Sequence, residues 1–183
     1  QTRLAEMGPR ALPAVRQALR DGDAESLLGA LLFLSGHPSP LCLADLEACL
    51  DRQEPAVRLA AASALGALAD ASPGRPEMLR GLRERLSDPD AEVRRRAATV
   101  LARHKDAGVL PFFREALEDK DAENRRQAVM VLGRMGDQVS VPRVQAILQD
   151  PPPRVRSRAA QSLGLLKALG AVPDLIRSMR DED

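Results

Sequence analysis

The chain has 183 residues, 44% of them apolar but only 2% aromatic, with three Phe and no Trp or Tyr. Its 27 basic and 26 acidic side chains leave a formal net charge of +1, so no overall field points to a nucleic-acid or membrane partner. A core of Leu, Val and Ala favours helix over sheet, and no run approaches the roughly 18 apolar residues of a membrane-spanning helix.

Along the chain, apolar residues fall in triplets: Leu12/Val15/Leu19, Leu43/Leu46/Leu50, Leu79/Leu82/Leu86, Leu110/Phe113/Leu117, Val141/Val144/Leu148 and Val172/Leu175/Met179. The last members are spaced 31, 36, 31, 31 and 31 residues apart. Offsets of three and four put each triplet on one helical face, and a fixed period marks a stack of repeats. After each of the first five anchors a second helix is expected, carrying Ser26/Ala30/Leu34, Val57/Ala61/Leu65, Val93/Ala97/Leu101, Asn124/Ala128/Leu132 and Val155/Ala159/Leu163. The central residue is always Ala, small enough for close helix packing.

Residues 1–8 read as the tail of a second helix. Helix pairs follow at about 9–36, 38–69, 74–104, 106–136 and 138–168, and a lone first helix at about 170–180. Pro13, Pro111, Pro142 and Pro173 fit the first turns of first helices. Asp and Pro open the second helices, and Gly36, Gly136 and the stretch 167–170 close them. The five extra residues of the second interval fall in 69–76, read as a longer surface loop. Cys42 and Cys49, seven apart in an apolar setting, read as small core residues, since no metal-binding spacing is present.

This pattern resembles the HEAT-repeat family, especially the short bacterial HEAT-like repeats of the phycobilisome-lyase type. The segment 88–98, Asp88-Pro89-Asp90-Ala91-Glu92-Val93-Arg94-Arg95-Arg96-Ala97-Ala98, carries the resemblance most closely, and the register covers the whole chain. The resemblance implies an all-α fold, a right-handed α-α superhelix of the HEAT-type solenoid kind, forming a single domain over 1–183. The family's Asp and Arg, six apart, are matched by Asp88/Arg94, Asp119/Arg125 and Asp150/Arg156, which the resemblance makes a structural ladder between turns. Earlier repeats depart: Arg58 has Arg52 where Asp is expected, and Asp21 has Leu27 where Arg is expected. The register begins and ends in mid-repeat, as a piece of a larger solenoid does.

In such solenoids the second helices line the concave face. Positions that avoid the apolar triplet hold Leu28 and Leu59 early, then Arg95, Arg96, Arg103, Arg126, Arg134 and Arg158. The expected groove is therefore apolar early and basic late. The expectation is a non-enzymatic scaffold that binds a protein or peptide, with an acidic segment suiting the arginines. The alternatives are a nucleic-acid-binding module using the arginine stripe, and an accessory subunit of a lyase-type enzyme. No cofactor, metal or catalytic residue is expected. His37 and His104 both end second helices and lie two repeats apart, and neither precedes the Glu of the HEAT-type iron hydroxylases. The aromatic pocket of HEAT-like DNA glycosylases has no counterpart, and neither a GxSxG elbow nor a phosphate-binding glycine loop occurs. With no signal peptide at the start, a cytoplasmic location is expected.

Overall fold

The computed structural model describes residues 11–178. Among these every regular element is helical and none is a strand. The first helices are α1 (Leu12–Asp21), α3 (Leu43–Cys49), α5 (Arg80–Glu84), α7 (Leu110–Ala116), α9 (Val141–Ala146) and α11 (Val172–Ser178). The second helices are α2 (Ala24–Gly36), α4 (Pro55–Ala71), α6 (Ala91–Arg103), α8 (Ala122–Met135) and α10 (Pro153–Leu165). Residues 1–8, Met179 and the end of the helix expected over 170–180 lie outside the described residues.

Each first helix from α3 onward opens with a 3-10 turn, at Pro40–Cys42, Pro76–Leu79, Ala107–Val109, Gln138–Ser140 and Leu169–Ala171. Proline stands in the first helical turn of α1, α7 and α9, where a missing N–H costs nothing. The second helices open on Asp or Pro. Asp23 accepts from Ser26 N at 2.8 Å, Asp90 from Glu92 N at 2.9 Å and Asp121 from Glu123 N at 2.9 Å, while α4 and α10 begin at Pro55 and Pro153.

The second helices α6, α8 and α10 end on a repeated device. Lys105 (φ 55°), Gly136 (φ 73°) and Lys167 (φ 53°) occupy the same register, each in the left-handed region just past its helix. Glycine adopts this conformation freely and lysine does not. Lys105→Gly and Lys167→Gly are expected to stabilise the protein by about 1 kcal/mol each. Urea titration checks this; an unchanged midpoint in both variants would refute it.

The loop expected over 69–76 is shorter in the structure. Helix α4 continues through Ala71, because Ala69 is still buried and keeps the helix in the core. The connection narrows to residues 72–75, turned by Gly74 at φ 82°.

By its internal contacts the chain forms two compact units, Gln1–His104 and Lys105–Asp183. The core of each is the stripe of triplets facing the second helices. Ala30, Ala61 and Ala97 are buried in the first unit, and Ala128 and Ala159 in the second. Cys42 and Cys49 are free and buried, and burial pushes both thiols above their ordinary range.

Closest approach occurs beyond the alanines. A Cβ added at Gly66 of α4 would lie 2.8 Å from Val100 Cγ2 of α6. A Cβ at Gly133 of α8 would lie 2.6 Å from Ser162 Cβ and 3.0 Å from Ser162 Cα of α10. Ser162 Oγ donates to Val129 O at 2.9 Å, fixing that crossing.

Candidate functional site

The charged residues divide into two sets, one at the turns and one on the second helices. At the turns, arginine joins consecutive repeats. Arg58 donates through Nε and Nη2 to the Asp88 carboxylate, both at 2.8 Å, and through Nη1 to Arg52 O at 2.9 Å and Gln53 O at 2.7 Å. Arg125 repeats the arrangement in the second unit, reaching Asp150 at 2.7 and 2.8 Å and the carbonyls of Asp119 and Lys120 at 2.8 and 3.0 Å. The Asp and Arg six apart meet differently. Arg94 Nη1 donates to the carbonyl of Asp88 at 2.7 Å and Arg156 Nη1 to that of Asp150 at 3.1 Å, not to the carboxylates. The carboxylates of Asp88 and Asp150 belong to the arginine of the preceding repeat, so Arg58 is supplied by Asp88 although Arg52 stands six residues before it, while the Asp119 carboxylate accepts from Asp121 N at 2.8 Å.

Two further clamps hold first helices. Asp45 of α3 is buried and accepts from Arg16 Nε and Arg20 Nε of α1, both at 2.7 Å. Arg114 of α7 grips buried Asp137 with two N–H groups at 2.8 and 2.5 Å. Burial pushes the carboxyls of Asp45 and Asp88 up, but their arginine bonds outweigh it and hold both below the ordinary carboxylate range. Arg114 does the same for Asp137 against a smaller burial effect. A carboxyl lowered in the folded state stabilises it fully above the unfolded value of about 3.9 and loses that stabilisation as pH falls through the folded value. Unfolding free energy measured in urea is therefore expected to hold from pH 7 to about 5 and to drop steeply below about 4. A curve that rises on acidification would contradict these pairings.

On the second helices the first unit places Leu28 and Leu59 half-buried on α2 and α4, and Arg95, Arg96 and Arg103 exposed on or at the end of α6. Arg95 Nη2 donates to Glu92 at 2.5 Å. Arg103 lies 3.1 Å from Asp70, an ion pair between the end of α6 and the end of α4; His104 Nε2 is 3.0 Å from the same carboxylate without a hydrogen bond to it. His37 stacks on Phe33 with ring centroids 4.6 Å apart and ends α2.

The second unit brings its arginines together. An open depression of about 600 Å³ on α8 and α10 is lined by Glu123, Arg126, Pro153, Arg154, Ser157, Arg158 and Gln161. Arg126 is paired with Glu123 through both Nε, at 2.7 Å, and Nη2. That bond, first of all, holds the Glu123 carboxyl below its ordinary range. Arg158 Nη1 donates to Gln161 at 2.9 Å. Arg134, exposed on the same helix as Arg126, lies outside the depression. Glu123 and Gln161 are absent from the stripe read in the sequence. Their i,i+3 spacing to Arg126 and Arg158 is the signal that could have found them. A second depression, about 450 Å³ along α1, has Arg16 and Arg20 in its lining, both committed to Asp45. Among the described residues no cluster of His, Cys, Asp and Glu could hold a metal ion, and no helix is long and apolar enough to cross a membrane.

Residues 79–164 match the family model described as HEAT repeats. No curated protein matches the sequence. Among solved structures the chain is similar to the complex of CpcE and CpcF of phycocyanin lyase from Nostoc sp. PCC7120, with 23% identity over 92% of this chain and 70% of that one and a TM-score of 0.66. It is also similar to a designed armadillo repeat protein in complex with the peptide (KR)4, with 20% identity over 94% of this chain and 93% of that one and a TM-score of 0.67. An engineered protein is similar at 20% identity, covering 93% of this chain and 89% of its own, with a TM-score of 0.66. At these identities the likeness is one of fold, an all-α solenoid of stacked helix pairs. With the 31-residue register and the buried centres Ala97, Ala128 and Ala159 in agreement with the family match, residues 79–164 are HEAT repeats.

Proposed function

We propose that this protein is a non-enzymatic scaffold that holds an acidic segment of a protein or peptide against its second helices. The carrying observation is the depression on α8 and α10, where Arg126, Arg154 and Arg158 converge against one acid, Glu123. Arg126 and Arg158 are already oriented by Glu123 and Gln161, so less side-chain freedom is lost on binding. Guanidinium groups match carboxylates by paired hydrogen bonds. The designed protein of like fold is complexed with a basic peptide. The lining here is arginine-rich, which suits a partner of opposite charge.

The test is fluorescence anisotropy with a labelled octaglutamate peptide at low and high salt. Saturable binding that weakens with salt and falls at least about tenfold in Arg154→Ala/Arg158→Ala is the expected result. Failure of the peptide to bind would overturn the proposal. Binding of a single-stranded oligonucleotide in its place would select the nucleic-acid reading.

A further inference from the structure

The first turn of α10 departs from the charge pattern of the second helices before it. Six residues past the anchor, α2, α6 and α8 carry Glu25, Glu92 and Glu123, whereas α10 carries Arg154. A carboxylate there faces the positive end of the helix dipole and stabilises the helix, while a guanidinium there costs stability. Nine residues past the anchor, Arg95 and Arg126 each bond the acid one turn earlier and close a neutral pair. In α10 that place holds Ser157, and no acid stands in the first turn. Arg158 follows one turn after Arg154, so α10 presents two guanidiniums and a hydroxyl to the same depression. Residues that break a local rule are expected where function requires them.

The opposite wall already holds one carboxylate. Glu123 is bonded twice by Arg126 and lies in the field of Arg154 and Arg158. Three guanidiniums against one carboxylate leave the lining with two positive charges in excess. A phosphomonoester carries about −1.5 to −2 at neutral pH and three acceptor oxygens, where a carboxylate carries one charge and two oxygens. Resting on the reading that this depression holds an acidic segment, we propose that it recognises that segment through one phosphorylated serine or threonine. The phosphate is held by Arg154 and Arg158 through charge-assisted hydrogen bonds, with the Ser157 hydroxyl donating to a further oxygen. Arg126 stays with Glu123.

The test uses three short labelled Gly/Ala peptides with phosphoserine, Glu or Ser at the centre, followed by fluorescence anisotropy. Saturable binding of the first, at least about tenfold tighter than the second, is expected, with none for the third. Affinity for the phosphopeptide should rise from about pH 5.5 to 7 as the phosphate gains its second charge. No histidine stands in the unit Lys105–Asp183 to titrate in that window. The double change Arg154→Glu/Ser157→Arg gives α10 the neutral pair of α6 and α8. It is expected to abolish phosphopeptide binding while raising the thermal midpoint, so a loss of binding is not a loss of fold. No binding of the phosphopeptide, equal affinity for the Glu peptide, or undiminished binding by the double variant would overturn the proposal. If octaglutamate still binds in those cases, the acidic-segment reading stands without it. A single-stranded oligonucleotide that outcompetes the phosphopeptide would also overturn it, assigning these arginines to a nucleic-acid backbone.

Discussion

Asp88→Ala is expected to destabilise the first unit by about 3–5 kcal/mol, the cost of leaving a buried charge unpaired. The Arg58 side chain is 8% exposed and that of Asp88 is fully buried, so solvent cannot replace the lost partner. Arg58 would keep its bonds to Arg52 O and Gln53 O but lose both carboxylate bonds. Asp90 N would lose its bond to Asp88 Oδ1, now 2.9 Å, at the start of α6. Replacing both partners by apolar residues, Arg58→Met with Asp88→Leu, is expected to recover part of the loss, since the charge leaves with its counter-ion. Urea denaturation of the three variants decides the matter. A loss below about 1 kcal/mol in Asp88→Ala would place the pair with surface ion pairs.

Gly133→Val is expected to cost about 3 kcal/mol, the upper end for overpacking a core. The added atoms would collide with Ser162 Cα, part of a helix backbone, and with Cβ, whose place that backbone fixes, so neither can swing aside. The same change at Gly164, on the same register but facing open space, should leave stability near wild type. Ser162→Gly introduced alongside Gly133→Ala should relieve part of the single variant's loss, less the bond from Ser162 Oγ to Val129 O. Equal effects at Gly133 and Gly164 would refute the close crossing.

The helical stripes were legible in the sequence because they obey a local rule: three- and four-residue offsets force Leu46, Leu82 and Val144 onto one face wherever the helices pack. The alanine centres were legible because they recur in every repeat. The partner of Arg58 was not, since the carboxylate it binds lies 30 residues on and no local spacing marks it. Asp45 is harder still. Its two arginines are 29 and 25 residues away, and where the register returns, at Gln145 and Asp174, an amide replaces the guanidinium, so no charge motif announces it. The glycine crossings could have been found, because Gly66, Gly133 and Gly164 share a register that the search for apolar residues passes over. On the candidate site, the arginines were legible as a stripe. Which of them converge depends on the packing of α8 on α10, which charge counting does not contain.

The turn arginines also bear on how the protein opens. Arg58–Asp88 and Arg125–Asp150 each span two successive repeats, so either bond is lost when one of its two repeats unfolds. Such bonds add little to the stability of a repeat alone and much to nearest-neighbour coupling, the quantity that sets cooperativity in a linear array. Native-state hydrogen exchange should accordingly find α4 and α6 losing protection together, and likewise α8 and α10, as doublets rather than one helix pair at a time.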